Sequence, residues 1–388
     1  MTRASIFLIV VALIAAMMGC DPDPTPPYEP EIRDWHDLEA IRYHLSQSFI
    51  LMNDLDATTT GYRELASPTA NQGQGWEPIG TSDDRFTGSL DGQEYEISDM
   101  FINRPDEGFV GLFGAVGEGG VIQNIGMVDA AVTGEWAVGL LAGGNWGDIS
   151  NSYSAGSVSG DDYVGGLMGG NAGGVSNCYS TAGVAGRWDV GGLAGANDSG
   201  GTVSNSYSTG SVTGEWSVGG LVGGNLGGTV NKSYAMASVT GDDYVGGLVG
   251  DNQGIVGNCY STGSVTGQWY VGGLVGYNDS WGTVSKSYAT GTVSGDWHVG
   301  GLVGENNDGA VNNSFWDIST SGLEESDGGT GKTTGAIKII ATFTDTVTEG
   351  LDQPWDIVAV APGETNPTYT WNMVDGETYP LLSWQSVS

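Results

Sequence analysis

Asp161 and Asp162 set two carboxylates side by side, and Arg187 adds a cation 26 residues further on. Clustered Asp beside Arg or Lys is the set with which polysaccharide-cleaving enzymes move protons at a sugar linkage. The same arrangement returns 81 residues later as Asp242, Asp243 and Gln268, with the cation gone. An active site is usually a local exception, whereas this set is copied, so the chain reads as non-catalytic. Gly329-Thr-Gly-Lys332-Thr-Thr334 imitates a phosphate-binding loop, but Ser326 stands where the pattern needs glycine and no apolar strand precedes it. His-Glu-x-x-His and Gly-x-Ser-x-Gly are both absent from the sequence. His36, His44 and His298 read as surface residues, and three cysteines are too few for a zinc finger or a disulfide scaffold. Calcium-binding loop patterns are missing as well. No metal and no cofactor is expected.

What remains is aromatic. Trp136, Tyr163, Trp188, Trp216, Tyr244, Trp269 and Trp297 fall at one corner of a repeated unit, with Asp162 or Asp243 in the Trp place where a Tyr follows. A fully buried column would not take two unpaired carboxylates, because burying each costs several kcal/mol (~2–7 for a neutral polar group, more for a charge). The corner therefore touches water. It reads either as a ladder that stabilises stacking or as a stripe that binds a sugar or a partner protein, since exposed aromatic surface is costly without a use. One place earlier, Glu135, Asp161, Arg187, Glu215, Asp242, Gln268 and Asp296 read as a solvated acidic edge, with Arg187 relieving repulsion between carboxylates.

Such columns need a scaffold that stacks. Leucines recur at 112, 141, 167, 193, 221, 248, 274 and 302, and the tyrosines at 153, 179, 207, 234, 260 and 288 each precede the next leucine by 14 residues. Length varies only between a leucine and the following tyrosine, at one Asn-x-Gly-Gly turn. The unit of roughly 27 residues is punctuated by glycine too often for a helix, and it is too short for a propeller blade. Short strands with glycine corners remain, stacking as coils of an all-β parallel solenoid at ~4.8 Å per coil. Cys178 and Cys259 share a small-residue column three coils apart, ~14 Å by that spacing, so they are expected to stay free thiols.

Composition agrees. The 388 residues include 68 Gly, and 46 acidic against 11 basic residues leave a net charge of −35, which excludes nucleic acid as a partner. Residues 1–19 pair a charged start with an apolar run from Ala4 to Ala16, as in a secretory signal. Residues 20–31 carry prolines at 22, 24, 26, 27 and 30 and read as a stiff tether. Residues 32–75 form an N-terminal cap, with Trp35, Leu38, Ile41 and Leu45 at helical spacing behind Asp34. The solenoid occupies 76–316, and 317–388 form a C-terminal capping segment with a short helix near Thr334–Phe343 and strand-like residues from Trp371 to Trp384.

Two resemblances add to this. Met17-Met18-Gly19-Cys20 is similar to the end of a bacterial lipoprotein signal, which implies lipid attachment at Cys20 and anchoring to a membrane of the cell envelope, at the surface or elsewhere outside the cytoplasm. The tetrads Gly111-Leu-Phe-Gly114, Gly220-Leu-Val-Gly223, Gly247-Leu-Val-Gly250 and Gly301-Leu-Val-Gly304 resemble the GLUG motif family of bacterial envelope and secreted proteins. Trp76-Glu-Pro-Ile-Gly80 looks like a leading coil of that family, and Ser314-Phe-Trp-Asp317 like its closing segment. The expectation is an adhesive or ligand-binding envelope protein whose partner is a glycan or a surface protein. A carbohydrate-active enzyme and a passive surface-layer spacer are the alternatives.

Overall fold

The structure is a computed structural model and describes residues 30–386. The 1–19 leader, Cys20 and all but the last residues of the tether lie outside the described residues. Each regular coil visits four parallel sheets in turn. In the coil that opens at Thr229, Thr229–Asn231 joins the first sheet, Tyr234–Ala235 and Ser238–Thr240 the second, Asp243–Gly246 the third and Val249–Asn252 the fourth. The sheets contain 11, 16, 7 and 8 strands. Register advances by one coil at each step: Val203 pairs with Val230 and Val230 with Val256. Leu221 N–H donates to Leu248 O at 2.9 Å, and Leu248 N–H to Leu274 O at 2.8 Å. Residues one unit apart are therefore neighbours, as a parallel β-solenoid requires.

Eight strands of the first sheet, from Val121–Gln123 to Ala310–Asn312, belong to regular coils. Three irregular strands precede them: Glu31–Ile32, Ser48–Leu51 and Ser89–Asp91. The stretch around the N-terminal helix thus also supplies the first rungs. That helix, Trp35–Ala40, starts where the Asp34 side chain accepts the N–H groups of His36 and Asp37. It buries Trp35 and Leu38. Inside the coils the apolar positions Val203, Val212, Val218 and Leu221 are all fully buried.

Glycine marks the corner between the third and fourth sheets for a steric reason. A Cβ on Gly246 would lie 1.9 Å from Val249 O, and one on Gly247 would lie 2.1 Å from Gly273 O in the next coil. Backbones meet there too closely for any side chain, which is why Gly-Gly-Leu recurs.

Two polar ladders run through the stack. Asn145, Asn171, Asn197, Asn225, Asn252 and Asn278 each hand an amide N–H to the next amide oxygen at 2.7–2.9 Å, the last of them to Asn306. The small column Ser152, Cys178, Ser206, Ser233, Cys259, Ser287 and Ser314 is buried. In it, Ser206 Oγ accepts the N–H of Cys178 at 3.1 Å. Cys178 and Cys259 are free and buried, and burial pushes each thiol up to about 12.

The C-terminal segment does more than close the end. Thr330–Lys332 pairs in parallel with Phe315–Asp317, so the imitation phosphate loop is a strand of the second sheet, with Lys332 lying over the Phe315 ring. Buried Asp317 accepts from Thr334 Oγ1 and the Tyr379 hydroxyl, both at 2.7 Å. Helices Thr334–Ile337 and Ala341–Thr344 follow, and then a small sheet of Ile357–Ala359, Trp371–Met373 and Leu381–Leu382. This layer folds back along the solenoid flank, where Trp384 Nε1 donates to Lys232 O at 3.3 Å and Trp355 Nε1 to Asn313 O at 2.8 Å.

Candidate ligand-binding edge

The third sheet presents the aromatic corner. Its outward column reads Trp136, Asp162, Trp188, Trp216, Asp243, Trp269, Trp297, in register throughout. Trp188 and Trp216 stack at 5.1 Å and 9°, and Trp269 and Trp297 at 5.5 Å and 14°. The outer faces stay wet: Trp188 and Trp269 are each 40% exposed and Trp297 59%. Two stacked pairs therefore stand on one edge, separated by the coil of Asp243.

Tyr163 and Tyr244 do not complete this column, which corrects the expectation of an unbroken stripe. Strand alternation would turn the residue after each Trp inward. Instead Ala137, Tyr163, Asp189, Ser217, Tyr244, Tyr270 and His298 all have φ near +50°. The left-handed turn swings this second column outward, beside the fourth sheet. There Tyr244 lies 4.8 Å from Tyr277 and 5.2 Å from Tyr270, and His298 Nδ1 is 2.6 Å from Glu305. Nothing in residue type announces that turn, because the column accepts Ala, Asp, Ser, Tyr and His alike.

The acidic column behaves as a solvated edge. Arg187 Nε reaches Glu215 at 2.9 Å and Gln268 Nε2 donates to Asp242 at 2.8 Å, both across one coil. Arg187 is thus paired with Glu215, and its charge only partly offsets the upward push on Asp162. Burial and the neighbouring Asp161 carboxylate raise Asp162 above the usual carboxylate range. Among the described residues no group of three or more His, Cys, Asp or Glu side chains is arranged to hold a metal ion. No helix among them is long and apolar enough to cross a membrane, which says nothing about β-barrels.

Asp189 is the most perturbed carboxylate of this edge. Its partly buried side chain lies over Gly224, with Asp251 nearby. Desolvation, then the Asp251 charge, push it up to about 7, and desolvation pushes Asp251 up to about 6. Both folded-state values exceed the unfolded value, so the native state binds more protons than the unfolded state between about pH 4 and pH 7. Stability is greatest at the acid end of that window and falls as pH rises through it. Asp189→Asn is expected to raise the thermal midpoint at pH 8 by about 2–4 °C and to flatten its pH dependence, as calorimetry at pH 5 and pH 8 would show.

A second aromatic feature, formed by the tyrosines that keep the 14-residue step to the next leucine, runs along the second sheet. Tyr153, Tyr179, Tyr207, Tyr234, Tyr260 and Tyr288 stack at 4.9–5.0 Å with rings within 6° of parallel. From Tyr207 onward the C-terminal layer covers this ladder and forms a second core with Trp355, Trp371 and Phe343. The tyrosine flank is therefore structural, and the tryptophan edge is the one left open.

The chain is a parallel β-solenoid, and four of its segments, residues 134–159, 186–213, 241–266 and 267–294, match the GLUG motif. The chain is 39% identical over 119 residues, 29% of its length, to a protein of Evansella cellulosilytica provisionally named Gly-rich membrane protein. It is 38% identical over 153 residues, 38% of its length, to halomucin of Haloquadratum walsbyi. It spans only 13% and 2% of the lengths of these two relatives. A solved structure from Bacteroides ovatus, provisionally described as an immunoglobulin A1 protease, aligns over 93% of this chain and 94% of its own at 19% identity and a TM-score of 0.48.

Proposed function

We propose that this protein is a non-catalytic envelope lipoprotein, tethered through Cys20, whose solenoid edge binds an extended glycan by repeated weak contacts. The observation that carries this is the pair of stacked, water-facing indole steps at Trp188–Trp216 and Trp269–Trp297. Flat aromatic faces repeated along an axis suit the apolar faces of successive sugar rings, and each contact adds to the next through effective concentration. With a net charge of −35, the ligand would be neutral or cationic. The lipoprotein-like N-terminus and the relatives' names, a membrane protein and a halomucin, support a place outside the cytoplasm.

A glycan array of the mature chain tests this. The Trp269→Ala, Trp297→Ala double variant is expected to weaken binding about tenfold, since one of the two steps is lost. Absence of binding by the folded wild type would leave the spacer alternative. Release of reducing ends from polysaccharide, abolished by Asp161→Ala, would establish the enzyme alternative instead.

A further inference from the structure

At one level of the stack the repeat is broken, and the break opens a cleft of about 150 Å³. In later coils the space between the second outward column and the fourth sheet is filled, by Tyr244 against Tyr277 and by His298 against Glu305. Here the corresponding residues are small, Ala137 with Gly144, Gly170 and Ala196, and they form the floor. Phe109, Trp136, Trp146 and Tyr163 rise around it, with Phe109 edge-on to Trp136 at 4.4 Å. Asp198 supplies a carboxylate at the rim. Trp146 is itself an exception, the one aromatic at a turn position that carries Ala172, Asp198, Leu226, Gln253, Asp279 or Asn307 in the other coils.

We propose that this cleft binds a quaternary alkylammonium group of the choline type. Aromatic faces attract cations through the ring quadrupole, most strongly where water is excluded. The neighbourhood already shows that preference, because the Arg85 guanidinium lies 3.6 Å over the Trp146 ring without lining the cleft. The surroundings are anionic, with Asp162, Asp189 and Asp198 all close enough to act on the Tyr163 hydroxyl. A sugar would need several directed hydrogen bonds, whereas Asp198 and the Tyr163 hydroxyl are the main polar groups of the lining. A calcium or magnesium ion would need six or more oxygen ligands and a zinc ion about four His, Cys or carboxylate ligands, and the lining holds one carboxylate with no His or Cys. An alkylammonium needs neither, only aromatic walls and a counter-charge.

The test is a titration of the mature chain with choline, followed by tryptophan fluorescence, with glucose, N-acetylglucosamine and sodium chloride as comparisons. Choline is expected to give a saturable change and the others none. Gly170→Leu should abolish it, because a Cβ at Gly170 meets no atom within 4 Å and the new side chain fills the cleft without disturbing the coil. Asp198→Asn, an exposed change, should weaken binding about fivefold. No saturable response to choline, a response that survives Gly170→Leu, or saturation by a sugar in place of choline would each overturn the assignment. The site is separate from the Trp188–Trp216 and Trp269–Trp297 steps, so it and the glycan edge can fail independently.

Discussion

We expect Asn225→Ala to lower the unfolding free energy by about 2–3 kcal/mol, measured by urea denaturation. Asn225 is fully buried, accepts from Asn197 at 2.9 Å and donates to Asn252 at 2.8 Å. Truncation leaves an amide N–H of Asn197 and an amide oxygen of Asn252 short of a partner in a dry interior, and desolvated polar groups without partners cost ~1–3 kcal/mol each. The sum falls below the maximum because Asn197 also donates to Thr229 O and Asn252 also accepts from Gly254 N. Hydrogen bonds in a chain polarise one another, so a break in the middle weakens the bonds on both sides. Asn306→Ala removes the last rung and a half-exposed bond to Gly309 O, and should cost about 1 kcal/mol. Equal losses at the two sites would contradict a ladder in which an interior amide serves two neighbours and a terminal one serves a single neighbour.

A larger effect is expected at Tyr288. Its ring is 1% exposed, stacks on Tyr260 at 5.0 Å and lies near Trp371, Tyr379 and Trp355. Its hydroxyl donates to Pro380 O at 2.6 Å. Tyr288→Ala opens a cavity at the seam between solenoid and C-terminal layer, a change that costs about 3–5 kcal/mol for a buried aromatic. Tyr288→Phe keeps the ring and loses one hydrogen bond, about 0.5–1.5 kcal/mol. Because coils contact mainly their neighbours, the loss should first appear as local opening. Limited proteolysis should then cut within residues 334–386 while the earlier coils stay intact. Uniform proteolysis along the chain would contradict a separable layer.

The coil architecture was legible because a parallel solenoid writes its period directly into the chain. The fixed 14-residue step from tyrosine to leucine marks the rigid part of each coil, and the glycine-containing turn after each ladder asparagine absorbs length. The asparagine and tyrosine ladders were present in the sequence as residues that keep one type through the central coils, Asn145 to Asn306 and Tyr153 to Tyr288, beside columns that vary freely. The split of the aromatic corner into two columns was not legible, since it depends on a backbone sign that Tyr163 and Asp189 share without sharing chemistry. The fold-back of the C-terminal layer was equally hidden. Trp355, Trp371 and Trp384 have no periodicity that names the flank they cover, and only their contacts with the tyrosine ladder reveal it.

The most direct test of the proposed role compares four folded proteins on the glycan that the wild type prefers: wild type, Trp188→Ala with Trp216→Ala, Trp269→Ala with Trp297→Ala, and all four changes together. Titration should show that either pair removed weakens binding and that the fourfold variant loses far more than either, with its melting temperature little changed. Binding undiminished in a fourfold variant that still folds would show that the tryptophan edge is not where the ligand sits.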